Sequence, residues 1–155
     1  MPKPIKRHIG LQNLSREHHH GLLLSWKIRK GFDQKIEPGR IKTYSDWFYL
    51  KFLVPHFLLE EKHIFPLLGD DHKMVKRALR EHRRLKRLFN AKENVEKNLL
   101  LIEEELVGHI RFEERVLFNE IQTVADEIQL LEIQNIHQDK TEENPDNWPD
   151  QFWVI

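Results

Sequence analysis

Apolar positions recur at spacings of three and four along most of the chain, and no stretch alternates convincingly with period two. That periodicity predicts an all-α protein. The first helix is expected from near Asn13 or Ser15, both capping residue types, to Gly31. Pro38-Gly39 makes the segment from Phe32 to Arg40 a loop. A second helix is expected over Ile41–Leu67, ended by Gly69-Asp70-Asp71, and a third over His72–Asn90. Polar residues from Ala91 to Asn94 form a turn before a long fourth helix, Val95–Ile121. A short fifth helix, Ala125–Ile136, is expected across one end. The tail from Gln138 is polar and acidic until Trp148, Phe152, Trp153 and Val154. Those aromatics either pack back on the helices or ride on a mobile tail that offers Trp148 and Trp153 as a contact surface. Four main helices with short connections predict an up-down-up-down four-helix bundle. It reads as a single domain over 1–155, with a core over 11–121 and a C-terminal helix and aromatic tail over 122–155.

Histidine and glutamate interrupt two of the apolar stripes. On the second helix the inward stripe reads Tyr49, Phe52, His56, Glu60, His63, Leu67; on the fourth it reads Leu99, Ile102, Leu106, His109, Glu113, Val116. Histidine and glutamate are four residues apart in both, about one helical turn, so the two side chains share a face. The pattern HxxxEE occurs at His56–Glu61 and again at His109–Glu114, each followed by a basic residue, an aliphatic and a phenylalanine. A helix weakener precedes each histidine, Pro55 in one and Gly108 in the other. The remaining helices echo each other too: Arg16-Glu17-His18 reappears as Arg80-Glu81-His82. The chain is thus two similar halves, each with one histidine and then HxxxE. A buried carboxylate is costly without a cation or a proton, and neither stripe carries a neighbouring Lys or Arg. Pairing the halves places four histidines and two carboxylates around one cavity, a donor set for two metal ions.

Composition supports this chemistry and excludes others. Ten histidines stand against two tyrosines, and cysteine is absent, so thiolate sites and disulfides are excluded. Histidine with carboxylate suits iron, manganese or zinc. With 25 basic and 25 acidic residues there is no electrostatic footprint for nucleic acid or an anionic membrane. No apolar run approaches a bilayer span, and the basic segment Met1–Arg7 is not followed by an apolar signal region. A cytoplasmic setting is the expectation. No phosphate loop or Ser-His-Asp arrangement is evident.

Glu17-His18, HxxxEE at His56, Glu81-His82 and HxxxEE at His109 together resemble the hemerythrin-like, or HHE cation-binding, family, over about residues 11 to 121. The resemblance implies a four-helix bundle with a non-haem, oxo- or hydroxo-bridged pair of irons. It implies His18, His56, His82 and His109 as terminal ligands and Glu60 and Glu113 as bridges. It also implies a small diatomic ligand or peroxide as the partner. The chain departs from the oxygen carriers of that family, which have a further histidine on the third helix; Lys86 stands four residues after His82 and Ala78 four before it. Fewer histidines leave more open metal positions, which points away from oxygen carriage and toward redox chemistry, sensing or iron handling. Two assignments stay open. His18 is preferred over His19, whose own face carries Leu22, Leu23 and Trp26, and His63 is either a fifth ligand or a surface residue. His8, His72 and His137 read as unrelated to the site.

Overall fold

The computed structural model describes residues 6–137 and 143–154. Residues 1–5 of the basic start and 138–142 of the acidic linker lie outside the described residues, as does Ile155. Four long helices form the bundle: α1 (Ile9–Asp33), α2 (38–67), α3 (Lys73–Asn90) and α4 (95–124). A short α5 (Glu127–Ile136) follows, and no strand occurs among the described residues.

Two helix starts differ from the sequence expectation, each for a local reason. α1 begins at Ile9, four residues before Asn13, because the His8 ring caps it, accepting the Gly10 N–H at 2.9 Å. Histidine is outside the usual capping types, so the pattern did not mark it. Pro38-Gly39 opens α2 rather than extending the loop. At the first helical position proline needs no N–H, and its fixed φ suits the helix. The Asp126–Gln129 capping box starts α5 close to its expected place.

α2 and α4 are not uniform. α2 contains π-helical turns at Tyr49–Leu53 and Glu60–Ile64, and α4 contains one at Glu113–Leu117. A π turn carries one extra residue and rotates everything after it. The stripe therefore continues through Ile64 and Leu117, both fully buried, while Val116 is 42% exposed and His63 is only partly buried. The stripes read from the sequence hold up to Glu60 and Glu113 and fail just after them.

The apolar interior falls into two clusters. One gathers Leu24, Ile28, Tyr44, Phe48, Leu85 and Leu106; the other gathers Leu11, Leu14, Ile64, Phe65, Phe118 and Ile121. On α1 and α3 the candidate ligands fall between the two along the helix; on α2 and α4 they straddle the junction, with Phe57 and Ile110 of the first cluster following His56 and His109. α5 packs against the first turns of α1, adding Leu130 and Ile133 to the second cluster. Gly10 permits that approach, since a Cβ there would collide with the Leu130 carbonyl oxygen. The tail packs back on the bundle: Phe152 and Trp153 are buried in the first cluster and Trp148 is half-buried against it. Trp153 is thus unavailable as an exposed contact surface. No helix among the described residues is long and apolar enough to cross a membrane.

Candidate metal centre

His18 of α1, His56 and Glu60 of α2, His82 of α3, and His109 and Glu113 of α4 converge between the apolar clusters, none more than 4% exposed. Their donor atoms form two overlapping groups. His18, His56, Glu60 and Glu113 offer atoms all within 4.8 Å of one another, and so do Glu60, His82, His109 and Glu113. Each half of the chain contributes the two histidines of one group, while both carboxylates belong to both. The ring pairs confirm the division: His18 and His56 centroids are 4.7 Å apart, His82 and His109 4.8 Å.

A ring of outer carboxylates aims the imidazoles. Glu17 Oε1 accepts from His56 Nδ1 at 2.7 Å, Glu81 Oε1 from His109 Nδ1 at 2.8 Å, and Glu61 Oε2 from His82 Nδ1 at 2.9 Å. The fourth imidazole is not held this way: Glu114 Oε2 lies 3.7 Å from His18 Nδ1, beyond hydrogen-bond distance, and accepts from Ser15 Oγ instead. An ionised carboxylate only accepts, so the bonded Nδ1 carries hydrogen and a neutral ring turns its Nε2 lone pair inward. The Nε2 atoms crowd the two central glutamates. His56 lies 3.3 Å and His82 3.2 Å from Glu60 Oε1, and His18 and His109 lie 3.0 and 3.1 Å from Glu113 Oε1.

The charge balance favours a cation here. Burial opposes protonation of His56 and His109, yet the adjacent Glu60 and Glu113 carboxylates outweigh it and lift both to about 9. Burial likewise opposes ionisation of Glu60, and the surrounding imidazoles hold it well below the usual carboxylate range. A field that retains a proton on a buried imidazole also attracts a metal ion. The test of fit is hydrogen bonding. His56, His82 and His109 Nε2, both Glu60 oxygens and Glu113 Oε2 are buried without a hydrogen-bond partner. Buried polar atoms of this kind are costly unless satisfied. These are inward-facing nitrogen and oxygen donors, so the residues present fit a metal.

Of the other sequence candidates, His19 is exposed and belongs to neither group. His63, displaced by the π turn at Glu60, lines a surface cleft with Leu58, Lys62 and Ile136 and also lies outside both groups. Ala78 is buried without a donor and Lys86 is exposed. Sequence reasoning left the outer carboxylates without a role. The signal was present in the repeated Glu-His and in the second glutamate of each HxxxEE. His137, read as unrelated, lies 2.7 Å from Glu17 Oε2. His8 and His72 cap helices.

A family model, the hemerythrin HHE cation-binding domain, matches residues 10–121, the span the motifs marked to within one residue. The chain belongs to this family of cation-binding domains. Comparison with curated proteins and with solved structures returned no match.

Proposed function

We propose that this chain holds a pair of iron ions and binds, senses or reacts with dioxygen, peroxide or nitric oxide, or handles iron under stress. His18 and His56 are terminal ligands of one ion, His82 and His109 of the other, and Glu60 and Glu113 are shared. The observation that carries this reading is the double membership of Glu60 and Glu113, which belong to both donor groups. Each ion then has two imidazoles and two carboxylates at hand. Four donors satisfy zinc, whereas iron and manganese commonly take more and keep positions for a further ligand. Iron, when bound, supplies reversible redox chemistry and affinity for small oxygen and nitrogen species.

The chain's residues limit what reaches the centre. With every ligand at most 4% exposed, the site suits a diatomic molecule or peroxide rather than an organic substrate. Ala78 and Lys86 supply no fifth imidazole, which favours reactivity or sensing over oxygen carriage.

Elemental analysis of protein from iron-replete cells tests the reading, with about two irons per chain expected from the two donor groups. Iron near zero overturns it; an optical spectrum of the loaded protein unmoved by dioxygen, peroxide and nitric oxide alike overturns binding, sensing and reaction and leaves iron handling.

A further inference from the structure

Residues beyond the family match reach the metal centre. His137 closes the C-terminus of α5, outside residues 10–121. Its Nε2 donates to Glu17 Oε2 at 2.7 Å, and Glu17 Oε1 accepts from His56 Nδ1 at 2.7 Å. One carboxylate thus joins α5 to a candidate ligand. A second tie holds the same residue: Asn13 Nδ2 donates to the His137 carbonyl oxygen at 2.7 Å. Asn13 and Glu17 are four residues apart on one face of α1, so together they grip His137 by backbone and ring.

The other half solves the same problem differently. Glu81 does for His109 what Glu17 does for His56, and its second oxygen accepts from Arg77 Nε at 2.9 Å. Arg77 precedes Glu81 by four residues, the place Asn13 holds relative to Glu17. Arg77 is itself held over the Phe112 ring, 4.0 Å from its centroid. Where α3 supplies its own arginine, α1 has an asparagine whose amide is committed to the His137 carbonyl, and the His137 ring takes the second oxygen of Glu17. Both oxygens of Glu17 and both of Glu81 are thereby engaged.

We infer that α5 is part of the metal centre. His137 is a positioning residue that acts through Glu17 on His56 and sets how firmly the His18/His56 position holds its ion. Arg77, through Glu81, serves the His82/His109 position. The inference rests on the two-ion reading above. Its physical basis is orientation. Without His137, one oxygen of Glu17 is released, the carboxylate turns toward solvent, and the His56 ring loses its fixed direction and tautomer. Removing groups that orient a metal ligand weakens metal binding by roughly ten- to a hundred-fold.

The test uses the full chain loaded with ferrous iron without oxygen, and follows release to a ferrous chelator. His137→Ala is expected to speed release of one ion by about ten-fold or more and leave the other unchanged. Arg77→Ala speeds one ion, and the double variant speeds both. In a His109→Ala background, which keeps only the His18/His56 ion, His137→Ala still accelerates release; in a His56→Ala background it does not. His137→Phe keeps the ring but lacks the donor and behaves like alanine, whereas His137→Gln restores an N–H donor and returns release toward wild type. Unchanged release in His137→Ala and His137→Phe, or equal acceleration of both ions, overturns the inference. A wild-type chain that takes up no iron overturns the proposed function instead. The positioning role is then read in metal-free protein by proton magnetic resonance. His137→Phe should abolish or shift the hydrogen-bonded Nδ1–H signal of His56 and spare that of His109. An unmoved His56 signal refutes it.

Discussion

Lys27 and the Glu60–Glu113 pair are all buried charged side chains, and the bundle treats them in opposite ways. Lys27 sits among aromatics at the tail-covered end. Its Nζ donates to Tyr44 Oη at 2.8 Å and to Asp146 Oδ1 at 2.6 Å, and stands 4.1 Å from the Trp153 ring centroid. Burial lowers its pKa, and Asp146 works against that shift. Tyr44 in turn donates to the Pro145 carbonyl at 2.8 Å. Every charge there is answered by the chain, so the cluster fastens the tail. The histidine–glutamate layer is answered mainly on its outer side; the exception is His18, whose Nε2 meets Glu113 Oε1 at 3.0 Å and whose Nδ1 has no hydrogen-bond partner. The Nδ1 atoms of three imidazoles have carboxylate partners, whereas their Nε2 atoms and most of the central carboxylate oxygens have none. Burial and charge alone do not mark a site; donors left without partners and aimed at one point do.

The largest expected effect breaks the layer itself. Glu113→Ala should cost both ions, since this carboxylate serves both donor groups, whereas His56→Ala should cost one. Metal per chain by elemental analysis distinguishes the two, and equal loss refutes the sharing. At the other cluster, Trp153→Ala removes a buried aromatic and should destabilise the fold by about 3 kcal/mol with metal content unchanged. Urea denaturation alongside metal analysis reads both quantities, and metal loss in this variant would break the separation of the two regions.

Proton occupancy sharpens the comparison further. His56 and His109 have folded values near 9 against an ordinary 6.5, so their contribution to stability is complete below 6.5 and disappears as pH rises toward 9. Metal-stripped protein should therefore melt at falling temperature across that window, while metal-loaded protein should not. A flat profile after chelation contradicts the charge balance described for the layer. The smallest effect is expected from Lys27→Met. An apolar side chain of similar length replaces a satisfied cation, at a cost of about 1 kcal/mol and with no change in metal content. A cost several times larger would show that Lys27, rather than the aromatic packing, holds the tail.

Much of this was legible in the sequence. Helices, their number and the histidine–glutamate pairs follow from local periodicity, because four residues make about one turn whatever surrounds them. The duplicated motifs marked all six candidate ligands, and the family match covers the same span. The N-terminus of α1 was missed because histidine is an unusual cap, and Pro38-Gly39 misled because proline opens a helix as readily as it ends one.

The sequence by itself determined that four helices would each carry a stripe and that these stripes would bring histidine and glutamate inward. Only the tertiary structure decided which of His18, His19 and His20 meets the partners, that His63 turns away after the π turn at Glu60, and that Glu61 reaches His82 on a different helix. It also placed the aromatic tail on the bundle and brought His137 to Glu17 across 120 residues of chain. The physical reason is one of range. Side-chain direction within a helix is set by its own turn, but rotation past a π turn and contact between helices are set by the packing of the whole core, which no local pattern carries.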